Sequence, residues 1–308
     1  MDLSIVIVNW NTRAMLRDCL HSVCARLAPL RAEIWVVDNA SVDGSPQMVS
    51  AEFPRVNLIR NQENRGFAAA NNQALCRARG RHVLLLNSDT LVRGDVLAAS
   101  VRYLDQNPHV GAMGCRVLNG DESLQITCSR YPSLLNLCLQ ATGLNRLPGA
   151  FFDRYRMTRW QRREARRVDV ISGCFLMVRR AAMEQVGVLD ERFFFYGEET
   201  DWCRRLNDAG WRLMLAPVGE IIHFGGGSAG KLNHRRNLML SEGTIRYHRK
   251  HNGMIGGAAC WALLAGFNLS RAIGWTCFGL AAGGPARETG RAFQRIVSCF
   301  GAAWPRKS

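Results

Sequence analysis

Three carboxylates stand within four positions at Glu198-Glu199-Thr200-Asp201, directly behind the aromatic run Phe193 to Tyr196 and Gly197. Acids at a helix start complement its dipole. A Gly-Glu-Glu-x-Asp turn behind a bulky wall is equally a way to aim one carboxylate into a pocket as a general base. Two further acids follow short apolar runs: Asp38 after Ile34-Trp35-Val36-Val37, and Asp89 after Val83-Leu84-Leu85-Leu86-Asn87-Ser88. An acid at a strand end bonds a ribose hydroxyl or caps the next helix. Asp89, beside Asn87, offers a hard oxygen to a divalent cation whose other ligands are diphosphate oxygens, or caps a helix starting near Gly94. His223 precedes Phe224-Gly225-Gly226-Gly227, and a lone imidazole there reads first as structural.

The elements that must hold these residues alternate in period. Leu3 to Val8, Ile34 to Val37, Val56 to Ile59 and Val83 to Leu86 are apolar enough for strands buried on both faces, and Met15, Leu16, Cys19, Leu20, Val23 and Leu27 mark one helix face. This is a βαβα order, predicting an α/β fold with a largely parallel sheet. Asn9, Asp38-Asn39, Asn61 and Asn87-Ser88-Asp89 follow the strands, at the carboxyl edge where such sheets bind ligands. The first strand is followed by Asn9-Trp10-Asn11-Thr12, not G-x-G-x-x-G, so a nicotinamide enzyme is disfavoured. Residues 120 to 165, with Pro132 and Pro148, read as an insertion or loop over the site. The arginines from Arg154 to Arg167 read either as a loop closing on diphosphate or as a solvated helix. Further on, the pattern predicts a helix over Glu198 to Asn207, short strands at Trp211 to Leu215 and Glu220 to His223, and a helix over Arg235 to His251.

Forty Lys+Arg against 25 Asp+Glu give a formal charge of +15, almost all of it guanidinium, since only Lys231, Lys250 and Lys307 are lysines. Arginine prefers phosphate and carboxylate. The basic residues are spread along the chain without a nucleic-acid-binding module, so nucleic acid is not an expected partner. Eleven cysteines without a C-x-x-C pair signal neither a zinc site nor a disulfide framework, and Met1-Asp2 leads into a run without the features of a signal peptide. The stretch from Met254 to Gly283 is the most apolar, interrupted by Asn268 and Arg271 and followed by Arg287, Arg291, Arg295, Arg306 and Lys307. It is expected to form two half-length helices lying on or dipping into an anionic membrane surface.

Order and spacing are more specific than any single motif. Ser4-Ile5-Val6-Ile7-Val8-Asn9-Trp10-Asn11, Val37-Asp38-Asn39-Ala40-Ser41, Asn64-Arg65-Gly66-Phe67, Leu85-Leu86-Asn87-Ser88-Asp89, Ser172-Gly173-Cys174-Phe175 and Tyr196-Gly197-Glu198-Glu199-Thr200-Asp201 together resemble the family 2 glycosyltransferases. Within them the bacterial rhamnosyltransferase-like group is most similar, over about residues 3 to 251. The resemblance implies a GT-A fold, Rossmann-like, with a helical and partly apolar C-terminal tail. It divides the chain into a catalytic domain over 1–230, nucleotide-binding to about 120 and acceptor-binding beyond, and a helical region over 231–308.

The implied reaction is inverting transfer of a sugar from a nucleotide diphosphate, first dTDP-rhamnose, to a hydroxyl of a lipid-linked or cell-envelope glycan. Asn9, Asn11, Asp38, Arg65, Gly66, Asn87 and Asp89 would bind the donor; Asp89 and His223 would hold Mg2+ or Mn2+. Ser172, Gly173, Glu198 and Trp202 would face the acceptor, Trp202 reading either as acceptor wall or as core, and Glu199 takes the place of the general base, where relatives more often carry Asp. Asn87-Ser88-Asp89 also has one carboxylate where many relatives have an Asp-x-Asp pair. The protein would work at the cytoplasmic side of the membrane. The alternative is a catalytically weak relative that binds nucleotide-sugar or glycan as an assembly partner, distinguished by metal-dependent donor turnover.

Overall fold

The computed structural model describes residues 1–225, 234–282 and 284–305. The expected domain boundary at 230, Gly226-Gly227, Lys231, Arg306 and Lys307 lie outside the described residues. Contacts divide the chain into two units, Met1–Arg130 with Arg156–Phe194 and Glu198–Gly226, and Tyr131–Tyr155 with Phe195–Gly197 and Gly227–Ser308.

The first unit begins with β1 (Leu3–Asn9), α1 (Arg13–Cys24), β2 (Ala32–Asp38), α2 (Ser45–Glu52), β3 (Asn57–Arg60), α3 (Gly66–Leu75) and β4 (His82–Asn87). The four expected strands and the helix on Leu16, Cys19, Leu20 and Val23 are all present. Next come β5 (Thr90–Val92), α4 (Val96–Gln106), β6 (Val110–Leu118) and β7 (Cys128–Ser129). Then, after α5 (Leu134–Thr142) of the second unit, follow β8 (Arg166–Arg167), β9 (Val170–Ile171), β10 (Phe175–Arg179), α6 (Arg180–Val186), α7 (Glu198–Asp208) and β11 (Arg212–His223).

Among the described residues nine strands make one sheet in the order β3-β2-β1-β4-β10-β6-β11-β5, with β8 beside β11. The β3-β2-β1-β4 portion is parallel; β10 runs antiparallel to β4 and β6. Alternate residues feed two cores: Ile5, Ile7, Val36, Leu84 and Leu86 on one face, Val6, Val37, Val83 and Leu85 on the other. That double burial is why these strands read as continuous apolar runs rather than alternating ones. Ala68, Ala69, Ala70 and Ala74 keep α3 narrow where its buried side meets the sheet.

Two expectations are corrected and one open choice is decided. The two short strands at Trp211 to His223 are one twelve-residue strand, whose pairing with β6 shifts register between Leu215 and Glu220, so the irregularity around Pro217 is absorbed without ending the strand. Residues 120 to 165 are not all loop: Ser133 Oγ accepts the Asn136 N–H and caps α5. The arginine-rich stretch is turns leading to β8, not a helix. In it Arg162 is fully buried and donates to the carbonyls of Arg156, Met157 and Trp160.

The second unit contains α5, α8 (His234–Ala282) and α9 (Gly284–Cys299). α8 is broken at Gly253, whose φ is 69°. The apolar part beyond it is therefore one helix and not two half-length ones. Asn268 donates its amide to the Leu264 carbonyl and the Arg271 guanidinium lies 5.2 Å from the Phe267 ring centroid, so neither polar residue interrupts the helix. By length and composition α8 is apolar enough to cross a membrane. Ile245, Cys260, Ile296 and Phe300 form this unit's core. Beside it, His248 lies between the Pro132 carbonyl at 2.6 Å and the Asn252 amide at 2.9 Å, and burial lowers its pKa.

Candidate active site

Parallel pairing lines up Asn9 with Asp38 and Val8 with Asn87, so three of the expected donor residues share the carboxyl edge. Asn9 is fully buried: its amide donates to Asp38 Oδ2 at 3.0 Å and Ser41 Oγ at 3.1 Å, and its oxygen accepts from Thr12 Oγ at 2.6 Å. It positions its neighbours rather than offering itself to a ligand. Asp38 is 2% exposed and accepts the Ser41 N–H at 2.9 Å, while α2 begins seven residues later under a Gly44 cap. The capping role is thereby excluded for Asp38. Asn11, at φ 54°, accepts the Val42 N–H at 2.8 Å and is exposed.

A second polar network sits one strand over. Asn39 accepts from the Arg65 N–H at 3.0 Å and the Asn61 amide at 3.1 Å, and donates to Asn64 Oδ1 at 2.8 Å and the Gly66 carbonyl at 3.2 Å. It thereby fixes the backbone that presents the exposed Arg65 side chain. Gly66 has φ 79°, and a Cβ there would stand 2.4 Å from the Phe194 carbonyl oxygen, so no other residue fits without displacing that loop.

Asp89 and His223 come together through antiparallel pairing of β5 with β11, which sets His223 opposite Thr90, with the Phe224 N–H donating to the Asp89 carbonyl at 3.0 Å. His223 Nε2 lies 3.2 Å from Asp89 Oδ1 and 3.1 Å from the Asn87 amide, and Nδ1 lies 2.6 Å from Gln125 Oε1. The helix-cap reading of Asp89 fails because a strand follows it; Asp95 precedes α4. Behind the acid, Cys19 is buried between the Asn87 carbonyl and Thr90, and its thiol is pushed up to about 12 by desolvation. It is a packed group, not a nucleophile.

Glu199 opens α7, and its Oε1 accepts the Gly173 N–H at 3.1 Å. The approach is close: a Cβ on Gly173 would stand 3.0 Å from Oε1 and 3.2 Å from the Phe67 ring. Glu199 keeps part of its surface open, yet protein surrounds its carboxyl closely enough that desolvation raises its pKa, with the Gly173 N–H acting in the opposite direction. Cys174 ties this group to the other acids. Its carbonyl accepts the Asn87 N–H at 3.4 Å, and its thiol, pushed up to about 12 chiefly by burial, also feels both the Glu199 and the Asp89 charge.

The acceptor residues divide. Ser172 and Gly173 form the turn under Glu199, with the Ser172 N–H donating to the Thr127 carbonyl. Trp202 is a correction: it is fully buried in the core and its indole N–H donates to the Gly187 carbonyl at 2.8 Å, which leaves nothing to face an acceptor. Glu198 is 2% exposed, as buried as Asp38. Of the residues that orient the site, Asn61 stands at the expected strand edge and Ser41 and Asn64 in the expected motifs without an assigned role, while Thr12 and Gln125 were not singled out. The recurrence of Asn after each strand was the one available signal for them.

The sheet order, with its parallel nucleotide-type half and inserted antiparallel β10, defines a GT-A glycosyltransferase fold. A mannosyltransferase of Pyrobaculum calidifontis, solved in complex with GDP-Man and Mn2+, matches at a TM-score of 0.58 and 18% identity, covering 98% of this chain and 84% of that one. Residues 4–187 match the profile of glycosyl transferase family 2, and the chain belongs to that family. An N-acetylglucosaminyl-diphospho-decaprenol L-rhamnosyltransferase of Mycobacterium tuberculosis is 30% identical over 215 residues, 64% of this chain and 68% of that protein. A hexosyltransferase of low-salt glycan biosynthesis, Agl10 of Haloferax volcanii, is 26% identical over 227 residues, 72% of this chain and 67% of its own length. Within the family the chain is rhamnosyltransferase-like.

Proposed function

We propose that this glycosyltransferase moves a sugar, first dTDP-rhamnose's, with inversion onto a hydroxyl of a lipid-linked or envelope glycan acceptor. The observation that carries the reading is the grouping of Asp89, His223 and Asn87 at one strand edge, linked through Cys174 to the Glu199–Gly173 turn. Donor and acceptor chemistry comes from the likeness to the mycobacterial rhamnosyltransferase, whose name gives a diphospho-decaprenol acceptor.

The donor set fits a divalent cation. Two adjacent ligands of an octahedral ion, each about 2.1 Å from it, stand roughly 3 Å apart, and Asp89 Oδ1 and His223 Nε2 are 3.2 Å apart. Among the described residues no cluster of three or more metal-ligating side chains exists, so diphosphate oxygens would complete the shell. An imidazole ligand favours Mn2+ over Mg2+. When bound, the cation offsets charge on the departing diphosphate, the part a general acid would otherwise play.

The protein's own groups do the rest. Glu199 takes the acceptor hydroxyl proton as that oxygen bonds to the anomeric carbon; the anomeric C–O bond breaks and its electron pair leaves on the diphosphate. One base and no protein nucleophile give inversion. Arg65, exposed on its fixed backbone, is the guanidinium this reading assigns to the donor phosphates. Offered dTDP-rhamnose, UDP-GlcNAc and GDP-mannose with a polyprenyl-diphosphate glycan, the enzyme is expected to use dTDP-rhamnose fastest and to invert the anomeric bond. Retained configuration by NMR would contradict the mechanism.

The same reading places the protein on the cytoplasmic face of an anionic membrane. Beyond Gly253, α8 exposes Ile255, Leu269, Ile273 and Leu280 on one side, with Ile255 87% exposed. Exposed Arg287, Arg291 and Arg295 recur every fourth residue on α9. Such a face suits shallow insertion assisted by anionic lipid. The full chain should sediment with phosphatidylglycerol vesicles, and doubly substituted Leu269→Asp, Ile273→Asp should not; equal recovery of both in the supernatant at low salt would sink this.

A further inference from the structure

We propose that Gln125 is a positioning residue for the reaction: it holds His223 in the one tautomer able to ligate a cation beside Asp89. The proposal rests on the reading of Asp89 and His223 as ligands. An imidazole coordinating through Nε2 must carry its hydrogen on Nδ1, and that hydrogen needs an acceptor. Gln125 Oε1, 2.6 Å from Nδ1, is that acceptor.

An amide is symmetric enough to present either end, so what matters is why the oxygen faces the ring. The answer is a chain of hydrogen bonds whose direction is set by a group that only accepts. Asp121 Oδ1 takes the Ser123 hydroxyl hydrogen, at 2.5 Å, and the Ser123 N–H at 3.0 Å. Its hydrogen committed, Ser123 Oγ can only accept from Asn119 Nδ2, 2.8 Å away. Asn119 therefore turns its oxygen to Gln125, which donates from Nε2 at 2.6 Å. The second Nε2 hydrogen goes to the His223 carbonyl at 3.0 Å. Both amide hydrogens are used, leaving only Oε1 for the ring. Backbone bonds hold the turn: Asn119 N–H to the Ser123 carbonyl at 2.8 Å and Gln125 N–H to the Val117 carbonyl at 2.9 Å. On the other side of the ring Nε2 faces Asp89 Oδ1 at 3.2 Å and the Asn87 amide at 3.1 Å, so a cation taking the Nε2 lone pair would replace the Asn87 contact there.

The orientation thus originates in a polar turn, Asn119 to Gln125, that holds no ligand itself. Replacing an outer-shell partner of a metal-bound histidine typically weakens metal binding 10–100-fold. Gln125→Met, close in length but without an acceptor, should weaken Mn2+ binding by about that factor, read from the EPR signal of free Mn2+. Gln125→Glu keeps an acceptor for Nδ1–H but loses both donated bonds, to Asn119 Oδ1 and the His223 carbonyl, so it should bind Mn2+ more tightly than Gln125→Met and more weakly than wild type. Should Gln125→Met fail to fold, nitrogen-15 NMR of metal-free wild type at mildly alkaline pH decides: a protonated Nδ1 and bare Nε2 on His223 support the proposal. A bare Nδ1, or Gln125→Met binding Mn2+ as tightly as wild type, overturns it. If Nδ1 is protonated but wild type binds no Mn2+, the tautomer assignment survives, while the cation reading and the role built on it fall.

Discussion

Glu199→Gln will lower the turnover number by about 10²–10⁴-fold, the usual worth of a positioned general base. Donor affinity should stay close to wild type, because the amide keeps the side chain's shape and still offers an oxygen to the Gly173 N–H. Steady-state rates with donor titrations check both parts. The raised pKa of Glu199 adds a pH signature. A base acts deprotonated, so turnover in the wild type should climb with pH through a value above the ordinary glutamate range, and this limb should vanish in the variant. Stability should move the opposite way. A carboxyl whose pKa is higher folded than unfolded contributes fully below the unfolded value and loses that contribution as pH rises through the folded one. Near neutrality the charged Glu199 therefore works against the fold, and Glu199→Gln should melt higher than wild type while hardly turning over. A residue kept at a cost in stability is what a working site predicts.

Asp89→Asn is expected to cost 10²-fold or more in kcat/KM, the scale set by losing one electrostatic partner of the departing charge. The asparagine can keep the 3.2 Å approach to His223, so the fold should survive. What goes is the anionic oxygen: an amide oxygen competes poorly for a divalent cation, and His223 alone is a single neutral ligand. Raising Mn2+ should recover part of the lost rate if the defect lies in cation affinity. The control is Asp95→Asn, in the loop just before α4, an exposed acid outside the strand edge, which should leave rates unchanged.

The parallel half of the fold was legible because strands buried on both faces leave continuous apolar runs, and Asp38 and Asp89 end two of them. The meeting of Asp89 with His223 was not legible from periodicity, since it depends on β5 pairing with β11 more than a hundred residues away; only the resemblance pointed to it. Trp202 misled because an aromatic beside carboxylates suits a sugar platform and a core equally, and the helix turn decides between them: Trp202 lies three positions beyond Glu199 and points inward with Leu206. Gln125 and Asn119 were invisible because a polar turn between strands has the same composition whether it faces only water or orients a histidine. The stretch from Met254 on is expected as two half-length helices because a charge at mid-membrane is costly for a single span; within the one helix that forms, Asn268 and Arg271 both find partners.

The central claim, a cation-assisted donor site built on Asp89, is tested most directly by thermal unfolding of wild type and Asp89→Asn with dTDP, UDP and GDP, each with and without Mn2+. A ligand that binds only the folded state raises the melting temperature. One nucleoside diphosphate, dTDP first, should stabilise wild type strongly with Mn2+ and weakly without it, and Asp89→Asn should show only the weak, cation-independent shift. Equal Mn2+-dependent stabilisation of both proteins would contradict it.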